Sequence, residues 1–88
     1  MKLKKGFVVR EVGGRTVAVA IGEMAKSFHG MISLNGSGKF IWKALADETT
    51  EEAIVNDLLE EYDVSREIAE IDVKKFIDQL RAEGLILE

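Results

Sequence analysis

The sequence has no cysteine, no proline and a single histidine, His29. Without cysteine there can be no disulfide and no thiolate-held metal or cluster. One histidine excludes a multi-histidine metal site, and the carboxylates are not spaced as in a calcium loop. There is no linker, low-complexity run or internal repeat, so residues 1–88 read as a single domain. No apolar run is long enough to span a bilayer, and no secretory hydrophobic segment follows Met1-Lys2-Leu3-Lys4-Lys5. The expectation is a cytoplasmic protein without a membrane partner. With 47% apolar and 32% charged residues, the 88-residue chain fits a folded domain with a modest core rather than a disordered segment.

Charge is unevenly distributed. Residues 1–35 carry a net +4 and residues 36–88 a net −8. This asymmetry can steer a charged partner towards one side. Both halves can equally be read as solvated surface.

The first half has the strand period. Residues 6–12 and 15–21 are rich in β-branched residues and flank Gly13-Gly14, whose freedom to adopt positive φ suits a tight hairpin. Val17, Val19 and Ile21 alternate with Thr16, Ala18 and Ala20, so one of the two faces is expected to be buried. Gly22-Glu23 is a break, residues 24–29 are ambiguous between a helical turn and an irregular strand, and residues 30–34 read as a third strand.

The second half is helical. Asn35 is the expected cap of a helix over about 36–46, with Phe40, Ile41, Ala44 and Leu45 apolar and Trp42 in the core. Thr49 and Glu52 have capping-box spacing for a second helix carrying Ile54, Val55, Leu58, Leu59 and Tyr62. Ser65 caps a third, over about 66–83, with Ala69, Val73, Phe76, Ile77 and Leu80 as its core stripe. Gly84 suits a C-cap, and Leu85-Ile86-Leu87 forms an apolar tail. Three strands followed by three helices predict an α+β, winged-helix-like domain with a three-stranded antiparallel sheet.

Gly36-Ser37-Gly38-Lys39 superficially resembles a phosphate loop. That motif needs a Gly where Ser33 stands and a Ser or Thr where Phe40 stands. Both positions fail, so the glycines are assigned to the strand-to-helix bend. The helix-turn-helix pattern raises the alternative of a DNA-binding or anti-repressor regulator. Residues 48–63 hold seven acids and no base, a surface that repels phosphate, so no nucleic-acid partner is expected. His29 has no nucleophile at recognisable spacing. The catalytic inventory is nearly empty, which favours binding over catalysis. An open edge at Met31-Ile32-Ser33 would suit strand addition by a peptide, or closure by a helix or a second copy. The expected oligomeric state is a monomer or weak homodimer.

Met31-Ile32-Ser33-Leu34-Asn35, then Gly38 and Phe40-Ile41-Trp42, resemble the strand-to-helix signature of the PqqD family. That family comprises the small chaperones of pyrroloquinoline quinone biosynthesis and related recognition elements of ribosomally made, modified peptides. Thr50 to Val55, Glu61 to Val64, Asp72-Val73 with Phe76, Leu80 and Gly84-Leu85 continue the likeness over nearly the whole chain. One departure is Gly36-Ser37, where family members often carry a Glu-Thr type pair.

The resemblance implies a winged-helix-like fold without DNA binding, and the nearly empty catalytic inventory leads to the expectation that the chain is not an enzyme. The resemblance also implies docking of a precursor leader peptide as an extra strand on the third strand, beside the third helix, and delivery to a modifying enzyme, commonly a radical S-adenosylmethionine enzyme. Its iron–sulfur clusters would belong to that partner, and this chain would hold no cofactor. The residues expected at the peptide are Gly30, Met31, Ile32 and Ser33 for the ladder, Val73 and Ile77 for an apolar floor, and Lys74 and Arg81 for leader carboxylates. The opposite flank of the third helix, with Ile68, Asp72, Lys75 and Gln79, is the alternative. The basic strand half separately suggests a leader with acidic residues near this edge.

Overall fold

The computed structural model describes residues 1–34 and 36–88. Strands β1 (Lys2–Leu3), β2 (Phe7–Val12) and β3 (Arg15–Ala20) precede a one-turn helix, α1 (Met24–Ser27). Strand β4 (Met31–Ser33) leads into α2 (Ser37–Ala44), α3 (Glu51–Glu61) and α4 (Arg66–Ala82), and β5 (Ile86–Leu87) follows. The expected α+β order holds, with the ambiguous segment resolved as α1.

β2 and β3 form the expected hairpin. Val12 pairs with Arg15 across Gly13 and Gly14, whose φ angles are 57° and 79°. Positive φ at both positions matches a two-residue turn to the right-handed strand twist. β4 adds to β3 with Ala18 opposite Ile32, giving the antiparallel order β2-β3-β4.

One face of β3 is buried against the helices, the face that carries Ala18. Ala18 is fully buried in the core, and Ile32 opposite it packs against the same cluster. Val17 is buried outside that cluster, and Ile21 is exposed. The small side chains of β3 therefore face the helices, where Leu34, Ile41 and Trp42 supply the bulk. Close packing depends on summed volume across an interface, so the larger member of an alternating pair need not point inward.

The cap expected at Asn35 lies outside the described residues. The N-cap position of α2 belongs to Gly36, at φ 51°, with no side-chain cap. For α3 the cap is Thr50 rather than Thr49: Thr50 Oγ1 accepts the Ala53 N–H at 3.1 Å. The Thr49 amide instead donates to the Met1 carbonyl at 2.9 Å. Ser65 caps α4 as expected, accepting the Ile68 N–H at 3.2 Å. At the other end Gly84, at φ 73°, donates to Arg81 O at 2.9 Å, and Leu85 donates to Leu80 O at 3.0 Å. These are the two bonds of a Schellman ending, with Leu80 and Leu85 both in the core.

The tail is a strand rather than loose packing. Leu3 pairs with Ile86 and Lys2 with Leu87. Leu3 N–H also donates to Leu45 O, and Lys4 N–H to Leu85 O, each at 2.8 Å. Of the expected helix faces, Ile54, Val55, Leu58, Ala69, Val73, Ile77 and Leu80 are buried, whereas Tyr62 is exposed and sits edge-on to Phe40.

Candidate functional site: an open sheet edge beside a cleft

β4 has one partner strand among the described residues, so its other edge is unpaired. The direction of its amides follows from one bond: Leu34 N–H donates to Thr16 O at 2.9 Å, towards β3. Successive residues of a strand alternate. Ile32 therefore also turns its N–H and C=O to β3, while Met31 and Ser33 turn theirs to the open edge. Side chains alternate as well: Ile32 packs against the core and Met31 is 65% exposed.

Between that edge and α4 lies an open cleft of about 330 Å³. β4 contributes Met31, Ile32 and Ser33, α4 contributes Phe76, Gln79, Leu80 and Glu83, and Phe28 joins from the segment before β4. Phe28 is held edge-on to Phe7, with ring centroids 5.5 Å apart. The Phe76 ring packs against α2 at Gly38, where a Cβ would sit 3.4 Å from it, at ordinary van der Waals contact. The glycine of the phosphate-loop look-alike thus serves packing, and Lys39 stands 3.8 Å from Glu11. A shallower hollow continues the cleft along α4, sharing Phe76 and Gln79 and adding Ser37, Asp72 and Lys75.

The residues singled out in the sequence divide clearly. Met31, Ile32 and Ser33 line the cleft, and exposed Gly30 precedes them. Val73 and Ile77 do not line it; they are 1% and 0% exposed, inside the core. Lys74 and Arg81 turn to the other flank. Lys74 shares a hollow with Glu51 and Glu52, and Arg81 bonds Glu51 at 3.4 Å. Both are already engaged with acids. Lys74 donates to Asp78 at 3.1 Å, and Arg81 to Glu88 at 2.6 Å. The bond from Lys74 holds the Asp78 carboxyl below its ordinary range. The bond from Arg81 does the same for Glu88 and raises the guanidinium in turn.

The flank facing β4 is the alternative one: Gln79 lines the cleft, and Asp72 and Lys75 its extension. Phe28, Phe76, Leu80 and Glu83 complete a wall not assigned from the sequence. A weak signal existed for Phe76, a large aromatic at the margin of the core stripe and therefore half-buried. The charges along the wall are mixed rather than basic. No group of three or more His, Cys, Asp or Glu is arranged to hold a metal among the described residues. No helix among them is long and apolar enough to cross a membrane.

Fold and edge together define a class: a small winged-helix-like α+β domain whose sheet ends in an unpaired strand beside a helix-walled cleft. Within that class, the chain belongs to the family described as coenzyme PQQ synthesis protein D (PqqD), whose model matches residues 19–86. Two solved structures share the fold. One is TbiB1 in complex with the TbiA(beta) leader peptide, 25% identical, with a TM-score of 0.71 over 97% of this chain and 93% of that one. The other is a lasso peptide synthetase B1 complexed with the leader peptide, 23% identical, with a TM-score of 0.70 over 99% of this chain and 96% of that one. Comparison with curated proteins gives no match.

Proposed function

We propose that this protein captures the leader of a ribosomally made precursor peptide as a fourth strand on β4 and presents the peptide to a modifying enzyme, of the radical S-adenosylmethionine type. The observation that carries the reading is the outward N–H and C=O of Met31 and Ser33 beside the cleft. They offer a ladder for backbone recognition, and the apolar walls from Phe28 and Phe76 offer purchase for alternate side chains. Membership of the PqqD family, and a fold shared with TbiB1, itself solved with a leader peptide, support it. Gly30, Met31, Ile32 and Ser33 form the strand side of the site. Val73 and Ile77 act from beneath by fixing α4, and Lys74 and Arg81 stand apart on the α3 flank. The protein's own contribution is binding and orientation, and the chemistry and its cofactors belong to the enzyme.

Titrating isotope-labelled protein with the leader of its precursor tests this. The expected result is amide shifts at Gly30 to Ser33 and along Phe76 to Glu83, with little change at Lys74. Shifts confined to α3 would rule the cleft out.

A further inference from the structure

A second recess, of about 410 Å³, shares no lining residue with the cleft. It lies where the β1–β2 connection meets the last turns of α2. Leu3, Phe7 and Trp42 give it an apolar lining, and Lys4, Lys5 and Lys43 stand around it. None of these three lysines has a carboxylate within 4 Å among the described residues; Lys2 and Lys75 have none either, but neither lines the recess, so the three are distinguished by their clustering. In a chain of net charge −4, three unneutralised cations around one aromatic-lined recess are not required by the core. Lys43 complements the C-terminal dipole of α2, which leaves Lys4 and Lys5 unexplained.

We propose that this recess docks an acidic polypeptide segment of a partner protein. An apolar side chain of that segment seats against Phe7 and Trp42, and flanking carboxylates meet Lys4, Lys5 and Lys43. Charge complementarity selects the sign of the partner, and the apolar lining selects a polypeptide over a bare anion. A phosphate site would favour forked guanidinium donors or a helix N-terminus, and the lining has neither. A nucleic acid or an anionic membrane presents an extended phosphate surface that must also face the acidic residues 36–88, at −8, whereas a short acidic segment needs to meet only the lysines around the recess.

The recess and the cleft meet through aromatic rings. Phe7 is edge-on to Trp42 at 5.4 Å and to Phe28, a cleft residue, at 5.5 Å. A segment in the recess and a strand on β4 therefore occupy separate surfaces and can be held together. This is the arrangement a presenting protein needs, and the recess proposal does not depend on the identity of whatever sits on β4.

The experiment titrates labelled full-length protein with a capped Glu-Asp-Leu-Asp-Glu peptide and with its neutral counterpart Gln-Asn-Leu-Asn-Gln. Inorganic phosphate and anionic phosphatidylserine vesicles are run in parallel, and the fluorescence of Trp42, the only tryptophan, is recorded. The acidic peptide is expected to give saturable shifts at Lys4 to Phe7 and Lys43 to Ala46 and to perturb Trp42. The neutral peptide should bind at least tenfold more weakly, and the Lys4→Gln, Lys5→Gln, Lys43→Gln triple variant should lose the acidic-peptide response. Equal binding of the two peptides, identical shifts from phosphate alone, preferential vesicle binding or an unaltered triple variant would each overturn the proposal. Shifts at Met31 and Ser33 in place of the recess would overturn it too while leaving the leader site standing.

Discussion

Met31, Ile32 and Ser33 are consecutive, yet they stand in opposite relations to a docking strand. The Leu34–Thr16 bond fixes the alternation, so the Ile32 amide belongs to the β3 ladder while its two neighbours point to the open edge. Proline is tolerated on an edge strand where its missing N–H faced solvent, and it breaks the ladder where that N–H was paired. Met31→Pro and Ser33→Pro are therefore expected to fold and to weaken leader binding. Each removes a backbone bond of about 0.5–1.5 kcal/mol, a loss of roughly twofold to thirteenfold, before any obstruction by the ring. Ile32→Pro is expected to lower the melting temperature instead. Thermal melts beside a fluorescence-anisotropy titration separate the two effects, and wild-type affinity in Ser33→Pro would refute strand addition at this edge. The same reasoning moves the apolar contacts of the site: Val73, Ile77 and Leu80 have almost no surface left to offer, while half-buried Phe28 and Phe76 line the cleft.

At the level of elements, the ends of the helices carry most of what local chemistry can specify. Thr50→Ala is expected to cost about 1 kcal/mol, through the orphaned Ala53 amide, and Thr49→Ala much less. For a domain of this size that is a drop of roughly 4–8 °C, readable by calorimetry. The sequence favours the wrong threonine because Thr49 has a glutamate three residues on and Thr50 has an alanine. The Thr49 amide is engaged by the Met1 carbonyl, a contact spanning the whole first half of the chain that no local pattern encodes. α4 is legible throughout, from the Ser65 cap to the Gly84 ending, because each signal is local and they agree. β4 is legible as an edge strand for the same reason. The wall opposite it is not, since a helical stripe marks the buried face but treats its two flanks alike. Only the packing of α3 against one side of α4 and of the sheet against the other decides that Lys74 and Arg81 face Glu51 while Gln79 faces Ser33.

Across the whole molecule, the two ends of the described chain are tied into one layer by β1 and β5, whose two-residue strands show no period that a sequence reading could detect. Leu85 is the centre of that clasp. Its side chain is 2% exposed in the core, its N–H caps α4 through Leu80 O, and its carbonyl accepts from Lys4. Truncating it leaves the backbone bonds in place and opens a void where α4 and β5 meet, so Leu85→Ala is expected to cost about 2–5 kcal/mol. That is a large share of the roughly 5–15 kcal/mol that separates a native domain from its unfolded chain. Yet Leu85 does not line the cleft, and the edge of β4 is held by β3. Well below its lowered melting temperature, Leu85→Ala should therefore bind the leader within about twofold of wild type, since the substitution keeps the Leu85–Leu80 backbone bond and removes no group at the β4 edge. Leu80 is the one residue common to both regions, lining the cleft while accepting the Leu85 amide. If affinity falls in step with stability, the clasp positions the cleft through Leu80, and residues 85–87 belong to the binding machinery rather than to the scaffold alone. Denaturant melts and leader titrations on the same preparation distinguish the two outcomes.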